Sequence, residues 1–537
     1  MAALKIVART PEAVEVVTGL QELGCSSTIK RQALVLEYSK DAATCLIGDD
    51  EGVEILNAEN NALIRKIECR GVRAAAFSSH GQYVLTFERP VKNEQGHFEP
   101  NLKVWRVSDG SCLIQLRQKE LDRDHWPSIQ FTADDGHCVH QVTNTLHVYN
   151  LKQDCSSGPC LKFPVKGISK FALSPKAVMS DVDSMLVMTY VPEIKGTPGY
   201  LALHRIQDCS QGTIPAPMAR KSFFRANSVR FLWNCHGTAV LIIAAADVDA
   251  TNQSYYGEQK LFYFSSDGSK DMAVQMPKHG PIHDVQWSPR GDYFVTVAGF
   301  MPAKSTLFTD SCVPKFDLGS GPYSLVRWNP FGRFFALAGF GNLPGDLVFY
   351  DKKADAKCKL MGSTRASNGV SLQWSPCGRY VLTATTAPRL RVDNGFQIFK
   401  YNGTLINQKH YPTLYEALWK PAKEGTFEDR PQSPRGQGDA EPASIQAAVQ
   451  QPVKSKGYIP PHLRNKGVTS APKASFSLAR DQSDSGGKIR PGSMTSRSQP
   501  AGGNLPPGAE PAGASSKAAL KNAKRRAKKK QTGNQTT

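Results

Sequence analysis

An aromatic residue, a small polar pair, a turn glycine and then an apolar strand recur along the first four-fifths of this chain. The phrase reads Trp287-Ser288-Pro289-Arg290-Gly291-Asp292-Tyr293-Phe294-Val295, then Trp328-Asn329-Pro330-Phe331-Gly332-Arg333-Phe334-Phe335-Ala336, then Trp374-Ser375-Pro376-Cys377-Gly378-Arg379-Tyr380-Val381-Leu382. Fainter copies begin at Tyr38, Phe77, Phe131, Leu173, Trp233 and Trp419, and the nine starts lie 39, 54, 42, 60, 54, 41, 46 and 45 residues apart. A period of about 40–55 residues with four strand-like stretches per unit marks a β-propeller. The expected fold is therefore all-β, a WD-like β-propeller spanning residues 1–420, with two successive all-β domains of ordinary size as the alternative. A propeller is a recognition platform more often than a catalyst, so partners are the first question.

Each part of the phrase has a physical role. The aromatic ends one strand and packs between blades, Ser/Asn-Pro starts a tight turn, and glycine supplies the positive φ that the turn needs. The next strand is nearly all apolar, as in Tyr83-Val84-Leu85-Thr86 and Ala239-Val240-Leu241-Ile242-Ile243, so it is expected to be buried on both faces. A third strand alternates, as in Leu102-Lys103-Val104-Trp105-Arg106 and Leu347-Val348-Phe349-Tyr350-Asp351, which predicts one packed and one wet face. The Trp-Asp pair of WD repeats is missing, so the blades are degenerate. Ahead of the first repeat, Lys5-Ile6-Val7-Ala8 and Val14-Glu15-Val16-Val17 are placed to supply a strand that closes the ring and removes its exposed edge.

No signal peptide is read at Met1-Ala2-Ala3-Leu4-Lys5, and the longest apolar run, Ala239 to Ala246, is too short to span a bilayer. The 12 cysteines are scattered, which fits reduced thiols in the cytosol rather than a disulfide framework. A cytoplasmic location is expected.

Composition changes after Lys420. Residues 421–537 hold no Trp, few large aliphatics and much Pro, Gly, Ser, Ala and Gln, so 421–516 and 531–537 read as disordered. This segment carries 20 basic and 8 acidic residues, a net of +12 out of the +19 of the whole chain. The charge concentrates in residues 517–530, where Lys521, Lys524, Arg525, Arg526, Lys528, Lys529 and Lys530 alternate with helix formers. A helix there is expected once a phosphate backbone neutralises it, with RNA or ribosome contact as the function and a solvated charge run or nuclear-import signal as the alternatives. Within the tail, residues 457–466 form an apolar island, in which Tyr458, Ile459, Pro460, Pro461, Leu463 and Arg464 look like a short docking motif pre-extended by its prolines. Ser433-Pro434-Arg435 matches a proline-directed phosphorylation site, a triplet that arises freely in a Ser/Pro-rich tail.

Catalytic patterns are missing. There is no Gly-x-Ser-x-Gly elbow, no His-Glu-x-x-His, no Cys-x-x-Cys and no phosphate-binding loop. His137, Cys138 and His140 beside Asp134 and Asp135 are the best metal candidates, but in an extended strand the two histidines point to opposite faces. No enzyme activity, metal or cofactor is expected. On the propeller, Arg389 and Arg391 are expected to project from one side of an extended stretch at a blade edge. With Lys304 on a comparable loop, they would grip phosphates. The alternative is that they pair with acids such as Asp393 or cover apolar surface.

Four strings are particular: Ser254-Tyr255-Tyr256-Gly257-Glu258-Gln259, Gly299-Phe300-Met301-Pro302-Ala303-Lys304, Leu337-Ala338-Gly339-Phe340-Gly341-Asn342-Leu343 and residues 383–395, Thr-Ala-Thr-Thr-Ala-Pro-Arg-Leu-Arg-Val-Asp-Asn-Gly. Together with Tyr458 to Lys466 and Lys517 to Asn522, they resemble the eukaryotic translation initiation factor 2A family, the single-chain factor rather than the heterotrimeric GTPase of similar name. The resemblance implies a nine-bladed propeller, in accord with the nine starts. It also implies binding to the small (40S) ribosomal subunit and codon-dependent, GTP-independent delivery of initiator methionyl-tRNA to selected mRNAs. Animal members carry a further long charged helical extension, and contacts made through it are not expected of these residues. The alternative is a scaffold of the initiation machinery without direct tRNA contact, like the propeller subunit of initiation factor 3. A propeller hydrolase is disfavoured by the missing motifs.

Overall fold

The computed structural model describes residues 3–153, 155–179, 184–194, 196–207, 216–246, 257–353 and 355–433. Their 36 strands form nine four-stranded antiparallel sheets. Eight are continuous in sequence, and we number these blades 1 to 8 from Val35–Tyr38 onwards; the ninth is built from both ends of the repeat region.

The recurring phrase makes the turn from the first to the second strand in blades 1 to 8. Its small polar residue is buried at every clear copy, as in Ser288, Asn329 and Ser375. Its side chain accepts a hydrogen bond from the backbone five residues on: Phe334 N to Asn329 Oδ1 at 3.0 Å and Tyr380 N to Ser375 Oγ at 3.0 Å. Glycine follows at positive φ (Gly291 68°, Gly332 69°, Gly378 66°), and in two faint copies Ala42 (60°) and Asp135 (53°) take that conformation without being glycine.

The strand before this turn is the innermost of its sheet, because it touches the equivalent strand of the next blade. Two kinds of bond join these strands around the axis. A glutamine or glutamate accepts the backbone N–H of the next blade's repeat residue: Glu37 from Phe77 (3.3 Å), Gln130 from Leu173 (2.7 Å), Gln286 from Trp328 (3.0 Å) and Gln373 from Trp419 (2.7 Å). The repeat indole donates to a carbonyl of the preceding blade, as Trp287 Nε1 to Leu232 O (2.8 Å) and Trp374 Nε1 to Arg327 O (2.8 Å). An aromatic that packs between blades thus also ties them.

Most second strands are buried along nearly their whole length, as Tyr83–Glu88, Leu186–Val191 and Phe334–Ala338 show, whereas His137–Val142 of blade 3 is buried only at Cys138 and Val139. The third strands depart from the expected wet face. Leu102–Arg106 alternates, but Asp346–Lys352 is buried at all but its last residue, because neighbouring blades cover this strand on both sides. Water reaches the outermost strands, such as Leu63–Ile67 and Leu405–His410.

Closure uses more of the N-terminus than one strand. Lys5–Arg9, Val14–Thr18 and Gly24–Ile29 form the outer three strands of blade 9, and Glu416–Trp419 forms its innermost. Ile6 pairs with Trp419 and Arg9 with Glu416, so the ring is locked by one antiparallel seam. Beyond it, residues 421–433 lie against the face that carries the repeat turns. Arg379 donates to Pro431 O (2.7 Å), Gln432 Nε2 to Asp351 Oδ2 (2.7 Å) and Ser433 N to the Tyr401 hydroxyl (2.8 Å).

Candidate functional site

The second and third strands of every blade are joined at the end of the ring opposite the repeat turns, and the connections from one blade to the next emerge at that same end. The second and third strands are joined by residues 299–302 in blade 6, 339–345 in blade 7 and 386–394 in blade 8; of the connection in blade 5, residues 246 and 257–258 are described. Each of the four particular strings of the sequence overlaps one of these loops. Strings far apart in the chain therefore lie side by side on one face, across four consecutive blades. Ser254, Tyr255 and Tyr256 fall outside the described residues.

These loops are held by the connections beside them. In blade 6, Phe300 N donates to His279 O (3.1 Å), Gly299 N to Pro281 O (2.9 Å) and Lys278 Nζ to Pro302 O (2.7 Å). A cleft of about 590 Å3 opens between blades 5 and 6, lined by Gln259, Met276, Lys278, His279 and Phe300 among others. Between blades 7 and 8, the Arg389 guanidinium rests on Gly341, where φ is 87° and a Cβ would come within 2.9 Å of its nitrogen. A side chain at position 341 would push that arginine away. Asn368 Nδ2 donates to Asp393 (3.3 Å), and Asn394 Nδ2 donates to Leu390 O (2.8 Å) while its oxygen accepts from Leu414 N (2.9 Å).

The two arginines do not alternate along an extended stretch. Leu390 N bonds Thr386 O at 3.1 Å, so a turn carries Arg389 and a loop carries Arg391. Both are exposed, and among the described residues neither forms an ion pair; Asp393 is occupied by Asn368. Lys304 differs. It is the second residue of the third strand of blade 6, Ala303–Thr309, and is ion-paired with Asp317 of the outer strand, a bond that holds the aspartate below its usual carboxylate range. Its charge is offset within the blade, and it does not join the arginines.

Sequence reasoning missed the apolar side of this face. Of the eleven exposed large hydrophobic residues among the described residues, seven sit on loops at this end of the ring: Val91, Phe98, Ile194, Phe224, Phe300, Met301 and Val392. Val392 is 63% exposed, beside Arg391. Bulky apolar residues outside the strand period and among turn formers were the available signal. Phe300, Met301 and Val392 are the three on blades 6 and 8, and exposed apolar side chains beside cations suit contact with another macromolecule.

The metal candidates lie apart chemically. Asp134 accepts from Thr132 Oγ1 (2.7 Å) and Gly136 N (3.0 Å), while buried Asp135 accepts from His80 N (3.0 Å) across the joint to blade 2. His140 Nδ1 lies 3.4 Å from Ser128 O. Among the described residues no three His, Cys, Asp or Glu groups converge, and no helix is long and apolar enough to cross a membrane. The docking-motif residues Tyr458 to Arg464 and the cations Lys521 to Lys530 lie outside the described residues.

A family model described as eukaryotic translation initiation factor eIF2A matches residues 221–417, which take in all four of these loops. The chain is 33% identical over 432 residues to eukaryotic translation initiation factor 2A of Dictyostelium discoideum, covering 80% of this chain and 66% of that one. It is 31% identical over 451 residues to the factor of the same name from Caenorhabditis elegans, covering 80% and 76%. The chain thus spans about two-thirds to three-quarters of the length of these two relatives. Among solved structures, one titled as the crystal structure of the eukaryotic initiation factor superposes with a TM-score of 0.70 at 28% identity, covering 79% of this chain and 100% of that one.

Proposed function

The chain belongs to the eukaryotic translation initiation factor 2A family, and from that premise we propose that it is a non-catalytic initiation factor that works in the cytoplasm through the loop face of blades 5 to 8. The face meets the small ribosomal subunit, and the chain promotes codon-dependent delivery of initiator methionyl-tRNA to selected mRNAs without GTP. Arg389 and Arg391 contact phosphates, and Phe300, Met301 and Val392 pack on the partner. The basic segment from Lys521 to Lys530 adds RNA affinity, and Tyr458 to Arg464 dock another initiation factor.

One observation carries this reading. Of the strings by which the chain resembles its family, the four in the propeller overlap, in their described residues, loops that the fold gathers onto one face, where ring stability alone does not demand their sequence. The guanidiniums of Arg389 and Arg391, without an ion pair among the described residues, and the exposed apolar residues on that face support it.

Filter binding of labelled initiator tRNA over a range of salt tests the proposal. The full chain is expected to bind with a steep salt dependence. Replacing Lys524, Arg525, Arg526, Lys528, Lys529 and Lys530 by alanine should flatten the log–log slope by several units, since each phosphate neutralised contributes about 0.7–0.9. Arg389→Ala with Arg391→Ala should weaken binding to the small subunit with unchanged melting. A chain that sediments with the subunit yet ignores free tRNA is a scaffold, and the delivery reading then fails.

A further inference from the structure

We propose that Ser433 is a phosphorylation site of a proline-directed protein kinase and that Arg379 receives the phosphate, fastening residues 430–433 to blade 8. Three observations meet there. Ser433 is exposed, is followed by Pro434 in the sequence, and stands at the end of a segment already in register on the propeller. Arg379 Nη2 donates to Ser433 Oγ at 2.6 Å while Nη1 donates to Arg430 O (3.3 Å) and Pro431 O (2.7 Å). The guanidinium is stacked 4.2 Å over the Tyr401 ring, whose hydroxyl accepts from Ser433 N.

Comparison of neighbouring blades explains why an anion fits. Arg333 holds the same place in the phrase of blade 7, and there it faces Asp351 (3.5 Å) and Asp429 (3.9 Å). Asp351 pairs with Phe334 across the sheet; in blade 8 the matching partner of Tyr380 is Lys400. Blade 8 therefore has a lysine where blade 7 has the aspartate. Lys400 Nζ lies 5.6 Å from the Tyr401 ring on which Arg379 stacks. Among the described residues Arg379 has no acidic partner, only two carbonyls and the hydroxyl of Ser433. The two nearby acids are already engaged, Asp351 by Lys353 (2.6 Å) and Gln432, and Asp429 by Arg333. A phosphate on Ser433 supplies the missing negative charge in a geometry that the guanidinium fork matches.

The step is a phosphoryl transfer. The Ser433 hydroxyl oxygen bonds to the γ-phosphorus of ATP, the bond from that phosphorus to the bridging oxygen breaks, ADP leaves, and the hydroxyl proton passes through the kinase base to solvent. Because Ser433 Oγ and N are both engaged on the propeller, the kinase takes the segment in its detached form, and the product returns with a stronger hold.

The full chain, incubated with ATP and a proline-directed kinase, is expected to take up one phosphate at Ser433 by mass spectrometry. Ser433→Ala and Pro434→Ala should lose it. Hydrogen exchange of residues 426–433 should then slow about tenfold in the phosphorylated parent, the worth of one charge-assisted bond. Exchange should stay unchanged in phosphorylated Arg379→Ala, and Arg379→Lys, which keeps the charge without the fork, should fall between. Uptake that persists in Ser433→Ala overturns the site. Unchanged or faster exchange after phosphorylation, or slowing that survives Arg379→Ala, overturns the role of the arginine.

Discussion

His204 carries a pH dependence that its neighbours do not cancel. It lies in the third strand of blade 4, 8% exposed, edge-on to Phe163 at 5.5 Å, and among the described residues neither ring nitrogen has a hydrogen-bond partner. Burial pushes its pKa down to about 4. The unfolded chain takes up this proton near pH 6.5 and the folded chain does not, so stability is full above 6.5 and declines as pH falls toward 4. Glu37, which faces the axis, has the opposite sign: burial raises its carboxyl to about 7, so its contribution is full below 4.5 and is lost as pH rises to 7. A raw pH profile would mix the two. His204→Leu is therefore compared with the parent by urea unfolding at pH 7 and 4.5, and the parent should lose about 2 kcal/mol more than the variant between those values. Equal losses would show that the imidazole is protonated in the fold. The same residue scale explains the faint copies of the phrase. Asp135 replaces the turn glycine at φ 53° because its carboxylate also accepts from His80 N (3.0 Å) and Gln82 N (3.3 Å) of blade 2. A pattern that asks for glycine scores this turn as weak, although it makes more bonds than a glycine would.

At the scale of elements, the ring depends on joints between innermost strands. Gln373→Ala removes the acceptor of Trp419 N at the joint between blades 8 and 9, leaving a buried N–H without a partner. It should cost about 1–3 kcal/mol. Gln397→Ala, which breaks an exposed side-chain pair with Gln408, should stay within about 0.5 kcal/mol and serves as the control in thermal melts. A loss for Gln373→Ala no larger than the control would mean that the joint is held by packing alone. The phrase was legible because aromatic, turn and apolar strand stand within nine residues and recur. The glutamine ties were not, since Glu37, Gln130, Gln286 and Gln373 appear in only some copies and their partners lie 40 to 46 residues away. Arg389 and Arg391 were legible as a loop pair, but their local path was not. Asn394 shapes it through bonds to Leu390 and to Leu414, and a contact with the next connection leaves no local sequence signal.

For the whole molecule, the propeller and the segment after it are proposed to be separable. Lys420 Nζ reaches Ala58 O (2.6 Å), and the bonds of Arg379 and Gln432 follow, so limited proteolysis should leave a core that ends just beyond Ser433 and unfolds as the full chain does. A core that melts cooperatively only with residues 434–537 attached would overturn the division. The blade count could be read from nine starts, whereas the way the ring closes could not. Residues 5–9 and 416–419 are both short apolar stretches, and nothing local says that they pair. That seam has a consequence in time. A ribosome making this chain releases the three outer strands of blade 9 first and their innermost partner last. At about 5–20 residues per second the inner edge of Lys5–Arg9 waits on the order of a minute before Trp419 emerges. During that interval a nascent protein with eight finished blades still shows an unpaired strand, and every product that stops short of residue 416 keeps it.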